Sequence, residues 1–186
     1  MTGIQIKGRG SFEAISARLM LLADTEVLAG FPDENADRQE MGAGITNASL
    51  AYIHDHGAPE QNIPARPFMA PAMAEARDKV AGKLSQVLTA VVSRGADSVV
   101  VEQGLHQVGL IAKLAIQNKI NEGIPPPLAD ATLRARARRG RKGAGLELLS
   151  RSMGYAPSMD FAKTLVDTGQ MRNAADYAIR SRKKRN

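Results

Sequence analysis

The chain contains no cysteine and no tryptophan. Without thiols there is no disulfide framework, no cysteine nucleophile, no cysteine zinc cluster and no iron–sulfur ligation, and a reducing compartment is compatible with the composition. Aromatic side chains are scarce, with four Phe and three Tyr making up 4% of 186 residues. A chain of this length is 44% hydrophobic, so its core must be built from Leu, Ile, Val, Met and Ala, which favours helices. Long apolar runs are missing as well. No stretch approaches the roughly 18–20 consecutive apolar residues that read as a bilayer-crossing helix, and the opening MTGIQIKGRG lacks an apolar signal core. The expectation is a soluble protein made in the cytoplasm, with no membrane partner.

Acids are absent from two particular places. Arg134–Lys142 holds six positive charges and Arg180–Arg185 five, and neither segment contains Asp or Glu. The whole chain carries +6, yet outside those eleven residues 14 basic side chains face 19 acidic ones. The body is therefore acidic and carries two basic segments, each suited to a phosphate backbone or to an acidic protein surface. The candidate contacts are Arg134, Arg136, Arg138, Arg139, Arg141 and Lys142, together with Arg182, Lys183, Lys184 and Arg185. On a helix Arg134, Arg136 and Arg138 spread around the axis, and no aromatics are interleaved for base stacking, which argues against sequence-specific reading of DNA.

The order of elements follows from periodicity. GIQIKG alternates Ile4 and Ile6 with polar neighbours and reads as a strand; Ser11 then caps a helix with Phe12, Ile15, Leu19 and Leu22 at helical spacing. TEVLAGF, Thr25 to Phe31, reads as a second strand with Val27, Leu28 and Ala29 as a buried run, followed by a polar loop over 32–44. Asn47 caps a short helix that stops at Gly57. Two long amphipathic helices follow, one from Pro71 to near Gly95 with Met73, Val80, Leu84, Val87, Leu88 and Val91 inward, the next capped by Asp97 and running to about Asn121. Gly104 and Gly109 would let a neighbour approach closely. GIPPP ends the pair, and Asp130 caps a short basic helix. Residues 144–163 read as an insertion or ordered loop anchored by Leu146, Leu148, Leu149 and Phe161, and the chain closes with a capped turn at Asp167 or Thr168 and a strand through Tyr177 and Ile179. The predicted fold is a single α+β domain over 1–179, a small antiparallel sheet packed against long helices, with 180–186 as a disordered basic tail.

None of the chemistry-bearing residues forms a familiar catalytic pattern. His54 and His56 flank Asp55, but two positions apart on a helix they point about 200° away from each other and cannot share a metal; His106 stands alone in mid-helix. There is no G-x-S-x-G elbow, and GRKGAG (Gly140 to Gly145) lacks the spacing of a phosphate loop and follows a helix instead of a strand. The carboxylate pairs Asp33/Glu34 and Asp37/Glu40 lie in a polar loop with no apolar pocket to raise a pKa. Asp167-Thr168-Gly169 is a single copy without the second aspartate of an acid protease. No catalytic, cofactor or metal residue is assigned, and the chain is not expected to be an enzyme.

Three stretches in a fixed order carry a resemblance. AYIHDHGAPEQNIPARPFMAPAM, Ala51 to Met73, resembles the joint between a short and a long helix in the neck and tail-completion proteins of long-tailed double-stranded-DNA bacteriophages, the minor tail protein Z-like group. GIPPPLADATLRARARRG, Gly123 to Gly140, is similar to the stretch that follows in that family, and LVDTGQMRNAADYAIR, Leu165 to Arg180, to its closing turn and strand. Asp55-His56 stands where a glutamate and an aromatic are commoner, and NAAD replaces a serine-bearing step. The resemblance implies a structural virion protein without chemistry. It would assemble with itself as a ring at the head–tail junction, as a connector or, in a neighbouring role, a tail terminator. Its partners would be adaptor or head-completion proteins on one side and tail-tube proteins on the other, with DNA passing through and backbone contact by any inward basic arm. His54, Gly57, Pro64, Arg66, Pro67, Phe68, Asp167, Thr168 and Gly169 would be interface or structural residues. Pro64 and Pro67 make the joint a stiff spacer, and Arg66, held between them, suits a bidentate contact with a carboxylate, in its own chain or across a subunit boundary. The loop 32–44 and the tail would order on meeting a neighbour. The rival expectation is a non-sequence-specific nucleic-acid-binding protein using 134–142 and 180–186.

Overall fold

A computed structural model describes residues 12–32 and 44–182. The expected strand at Ile4 and Ile6, the Ser11 cap, most of the 32–44 loop and Lys183, Lys184 and Arg185 lie outside the described residues. Among the described residues seven α-helices and one two-stranded antiparallel sheet form an α+β arrangement: α1 (Phe12–Ala23), β1 (Thr25–Gly30), α2 (Asn47–His56), α3 (Met69–Arg94), α4 (Ser98–Glu122), α5 (Asp130–Arg138), α6 (Lys142–Ser152), α7 (Gln170–Ala174) and β2 (Asp176–Ser181).

The long hairpin of α3 and α4 is the frame. Gly95 takes the left-handed conformation at the end of α3 (φ 61°), and Asp97 accepts the Val100 N–H to start α4, so two adjacent residue choices turn the chain. Close packing needs Gly104, where a Cβ would come within 2.2 Å of the Val87 side chain, and Gly109, where it would meet the Tyr177 ring at 2.1 Å. Val101, Leu105, Val108, Ala112, Ile116 and Ile120 form the buried stripe of α4. α4 is long and apolar enough to cross a bilayer. Its buried stripe, however, packs on α3 and the sheet, which is the pattern of a core helix.

The sheet lies against this hairpin in the register Thr25↔Ser181 to Gly30↔Asp176. Strand alternation sets its faces: Val27 and its partner Ile179 pack on the cluster Val87, Val91, Val101 and Leu105, whereas Leu28, next along β1, points outward, 40% exposed. The run Val27–Ala29 is thus one-sided and not continuously buried, and Leu88 on α3 is likewise partly exposed. β2 runs on to Ser181, so Arg180 belongs to the sheet, where its Nε donates to Glu26 at 2.7 Å, and not to a disordered tail.

Other expectations shift by local chemistry. Thr46, not Asn47, caps α2, its hydroxyl accepting the Ser49 N–H at 3.1 Å. α5 begins after Ala129 with Asp130 already helical, and its cap contributes no side-chain bond. The largest change is over 144–163, expected as a loop. Lys142–Ser152 is the helix α6, and its inward residues are Ala144, Glu147 and Leu148, while Leu146, Leu149 and Phe161 are half exposed. Ala144 joins Leu128, Leu133 and Ala162 in a separate apolar cluster under α5. Gly143 lets the chain come back over α6, since a Cβ there would fall 2.0 Å from the Phe161 carbonyl oxygen.

Candidate functional site

The three stretches that carry the family resemblance converge. Ala51, Phe68 and Ala72 from the first stretch and Leu165, Met171 and Ala175 from the last share one cluster with Ile116 and Ile120 of α4. Phe68 is fully buried and meets Phe31 edge to face at 6.1 Å, and enclosing a side chain of this size stabilises by about 1.5–3 kcal/mol. Phe68, offered as an interface or structural residue, is therefore enclosed within its own chain.

The joint itself is built from backbone restrictions. Gly57 ends α2 at φ 81°, its N–H bonded to Ile53 O, and a Cβ there would lie 2.7 Å from the Ala65 nitrogen. A 3-10 turn, Pro59–Gln61, is closed by an isolated bridge between Ala58 and Ile63. Residues 64–67 then form neither helix nor strand, and the two prolines bias Ile63 and Arg66 away from the helical conformation. Arg66 N–H donates back to His54 O at 2.8 Å, tying the spacer to the helix it left.

Asp55 completes the joint. α3 has no side-chain cap of its own, and Asp55 Oδ1 instead accepts the Phe68 and Met69 N–H groups at 2.8 and 3.0 Å. A carboxylate at a helix N-terminus satisfies orphan donors and complements the macrodipole. The sequence treated Asp55 only as a neighbour of two histidines; its thirteen-residue reach to the helix start leaves no local signal. His56 stacks on Tyr52 at 4.2 Å, outward, while His54 is half buried.

Arg66 departs from its expected partner. It is 5% exposed, and its Nε and one terminal nitrogen donate to the Pro126 carbonyl at 3.2 and 2.8 Å. The contact is bidentate, but to a backbone oxygen of the GIPPP turn and not to a carboxylate at a boundary. Desolvation lowers the pKa of its guanidinium from the ordinary value.

Arg136 also corrects its expectation. Offered as a phosphate or acidic-partner contact, it is 9% exposed and donates to the carbonyls of Lys163, Val166 and Thr164 at 2.8, 2.9 and 3.1 Å. It holds the turn that precedes α7. Burial lowers its pKa, partly offset by Asp167, whose carboxylate is 3.9 Å from Arg136 Nε. Asp167 also receives Arg139 at 2.6 Å and Arg141 at 3.1 Å, so both are paired inside the chain. Thr168 Oγ1 lies 3.4 Å from the Gln170 N–H, and Gly169 supplies the positive φ (81°) that enters α7. Of the first basic segment only Arg136 is buried; Arg134, Arg138, Arg139, Arg141 and Lys142 are exposed, with Arg134 3.8 Å from Asp130.

Around these two guanidiniums lies a cleft of about 640 Å³ between the joint and the start of α5. His54, His56, Asn62, Arg66, Thr132, Arg136 and Thr164 supply its polar groups. Pro59, Ile63, Pro64, Pro126, Pro127 and Leu128 form apolar walls, and no carboxylate lines it. Among the described residues no group of three or more His, Asp or Glu side chains is placed to hold a metal. The arrangement offers positive charge and fixed hydrogen-bond donors.

No protein-family model, no curated protein and no solved structure matches this chain.

Proposed function

We propose that this chain is a structural protein of a bacteriophage virion, assembling as a homo-oligomeric ring at the head–tail junction through which DNA passes. The supporting observation is the convergence just described. Three separated stretches, each resembling part of a neck or tail-completion protein, pack around one cluster, with Arg66 of the first bonded to Pro126 of the second and Leu165, Met171 and Ala175 of the third closing the core. A ring needs two different complementary surfaces on each subunit. The molecule has unlike sides: the outer face of the two-stranded sheet with Leu28, and the α6 flank with Leu146, Leu149 and Met153 exposed. On this reading the protein does no chemistry, and its neighbours are an adaptor or head-completion ring and the tail tube.

The rival, a free-standing nucleic-acid binder, is weakened by the burial of Arg136 against three carbonyls, which withdraws it from a phosphate-facing role, and by the pairing of the exposed Arg139 and Arg141 with Asp167. Light scattering and duplex titration separate the two readings. The ring reading expects a closed oligomer once neighbouring ring proteins are added, with weak DNA affinity by the monomer. A monomer that stays monomeric and binds random duplex with a steep salt dependence would overturn it.

A further inference from the structure

We infer that the cleft between the α2–α3 joint and α5 is a receptor for an acidic, extended peptide segment of another protein chain. The inference does not depend on ring formation. Its first support is a local imbalance of charge. Arg66, Arg136, Arg139 and Arg141 are close enough for the other three to disfavour ionisation of Arg136, yet Asp167 is the one carboxylate among them. That carboxylate sits on the Arg139 and Arg141 side and does not line the cleft. The cleft floor therefore holds two desolvated guanidiniums, of which Asp167 meets Arg136 at 3.9 Å from outside the cleft, and among the described residues no carboxylate lines the cleft itself.

Unused donors are the second support. Arg66 spends two of its guanidinium N–H groups on Pro126 O, and among the described residues the others have no hydrogen-bond acceptor. The buried fork is already fixed in orientation, so a carboxylate meeting it loses little side-chain entropy. The N-terminus of α5 opens on the same cleft through Ala129 and Thr132 without a side-chain cap, adding the positive end of a helix.

The walls select the kind of anion. Pro59, Ile63, Pro64, Pro126, Pro127 and Leu128 give an apolar trough suited to aliphatic stems, and the volume of about 640 Å³ is in the range of a short segment of chain. Among the described residues no Phe, Tyr or Trp side chain lines it for base stacking, which disfavours a nucleic acid strand. Recognition of acidic motifs by paired arginines in a preformed groove is a recurrent mode of peptide capture.

The test uses the full chain and two probes, the blocked peptide acetyl-Glu-Glu-Pro-Glu-Glu-amide and its all-glutamine counterpart, followed by amide and imidazole NMR shifts. The acidic peptide should shift His54, Asn62 and Thr132 and bind at least tenfold more tightly than the glutamine peptide. Thr132→Glu, an exposed change that places a carboxylate at the mouth, should weaken binding at least tenfold without altering the melting temperature. Arg66→Lys should weaken it as well, because the charge remains while the fork is lost. Equal binding of the two peptides, no binding at millimolar concentration, or wild-type affinity in Thr132→Glu would overturn the inference. So would inorganic phosphate saturating the same shifts at the same concentration as the peptide, since a bare anion would then suffice.

Discussion

The joint from Gly57 to Phe68 and the α5–α6 segment from Leu128 to Asp167 both hold irregular backbone still, by different means. In the joint, residue types restrict the chain before any contact forms: Gly57 takes a positive φ, Pro64 and Pro67 enforce extension, and Asp55 and Arg66 pin what is already shaped. In the second segment the turns after α6 and before α7 depend on buried ions. Glu147, 1% exposed, accepts from the Ser158 N–H, the Ser158 hydroxyl and Arg151 at 2.7, 2.9 and 2.9 Å. Arg151 also donates to Leu128 O and Asp130, and Arg136 gathers three carbonyls. A backbone-shaped segment tolerates loss of a side-chain contact better than an ion-held one.

Breaking the ion-held side should have the largest effect. Arg136→Ala strands three carbonyls and removes a cation from Asp167, and we expect a loss of about 3–5 kcal/mol in denaturant unfolding. Exposed Arg138→Ala, measured alongside, should change stability by less than about 0.5 kcal/mol. A comparable loss in both would erase the distinction between buried and surface arginine drawn here.

Gly57→Ala probes the other side, where strain replaces lost bonding. A Cβ at φ 81° and 2.7 Å from the Ala65 nitrogen should cost about 2–3 kcal/mol, read as a lower unfolding midpoint. Full stability in this variant would mean that the joint is not set by its backbone.

Glu147 sharpens the comparison through pH. Burial alone would favour its protonated form, but the Ser158 and Arg151 hydrogen bonds outweigh this and hold its carboxyl below the usual range. The folded pKa is below the unfolded one. The carboxylate therefore stabilises the fold at neutral pH, and that contribution is lost as pH falls below roughly 4.3 through the lowered folded value. Glu147→Gln should cost about 2 kcal/mol at pH 7 and flatten the acid limb of the stability curve. An unchanged acid limb would assign that limb to other carboxylates.

Apart from the surface control, the smallest effect is expected for Asp55→Ala, about 1–2 kcal/mol, the size of a lost helix cap. Amide exchange should localise it to the first turn of α3. Exchange rising throughout α2 and α3 would make Asp55 a keystone of the joint instead.

The same division explains what could be read from sequence. Gly57, Pro64, Pro67, Gly95 and Asp97 act on neighbours within a few residues, so the joint and the turn of the long hairpin were legible, as was the α+β class. Leu28 was misread because three apolar residues in a row do not reveal a one-sided strand. α6 was missed because GRKGAG begins with poor helix formers, and its inward face carries Glu147, a residue whose burial makes sense only once Ser158 returns to it eleven positions later. Arg136 was placed on the surface for the same reason: its acceptors lie 27 to 30 residues away, beyond any local pattern. The cleft was invisible as a whole, although its two extreme parts, the proline spacer and the GIPPP turn, had been singled out separately.

The central claim is a ring at the head–tail junction. Its most direct measurement is electron microscopy of assembled particles carrying a density label fused to this chain. The account predicts label arranged with cyclic symmetry in a single layer between head and tail. Label distributed over the head shell or along the tail tube, or absent from purified particles, would contradict it.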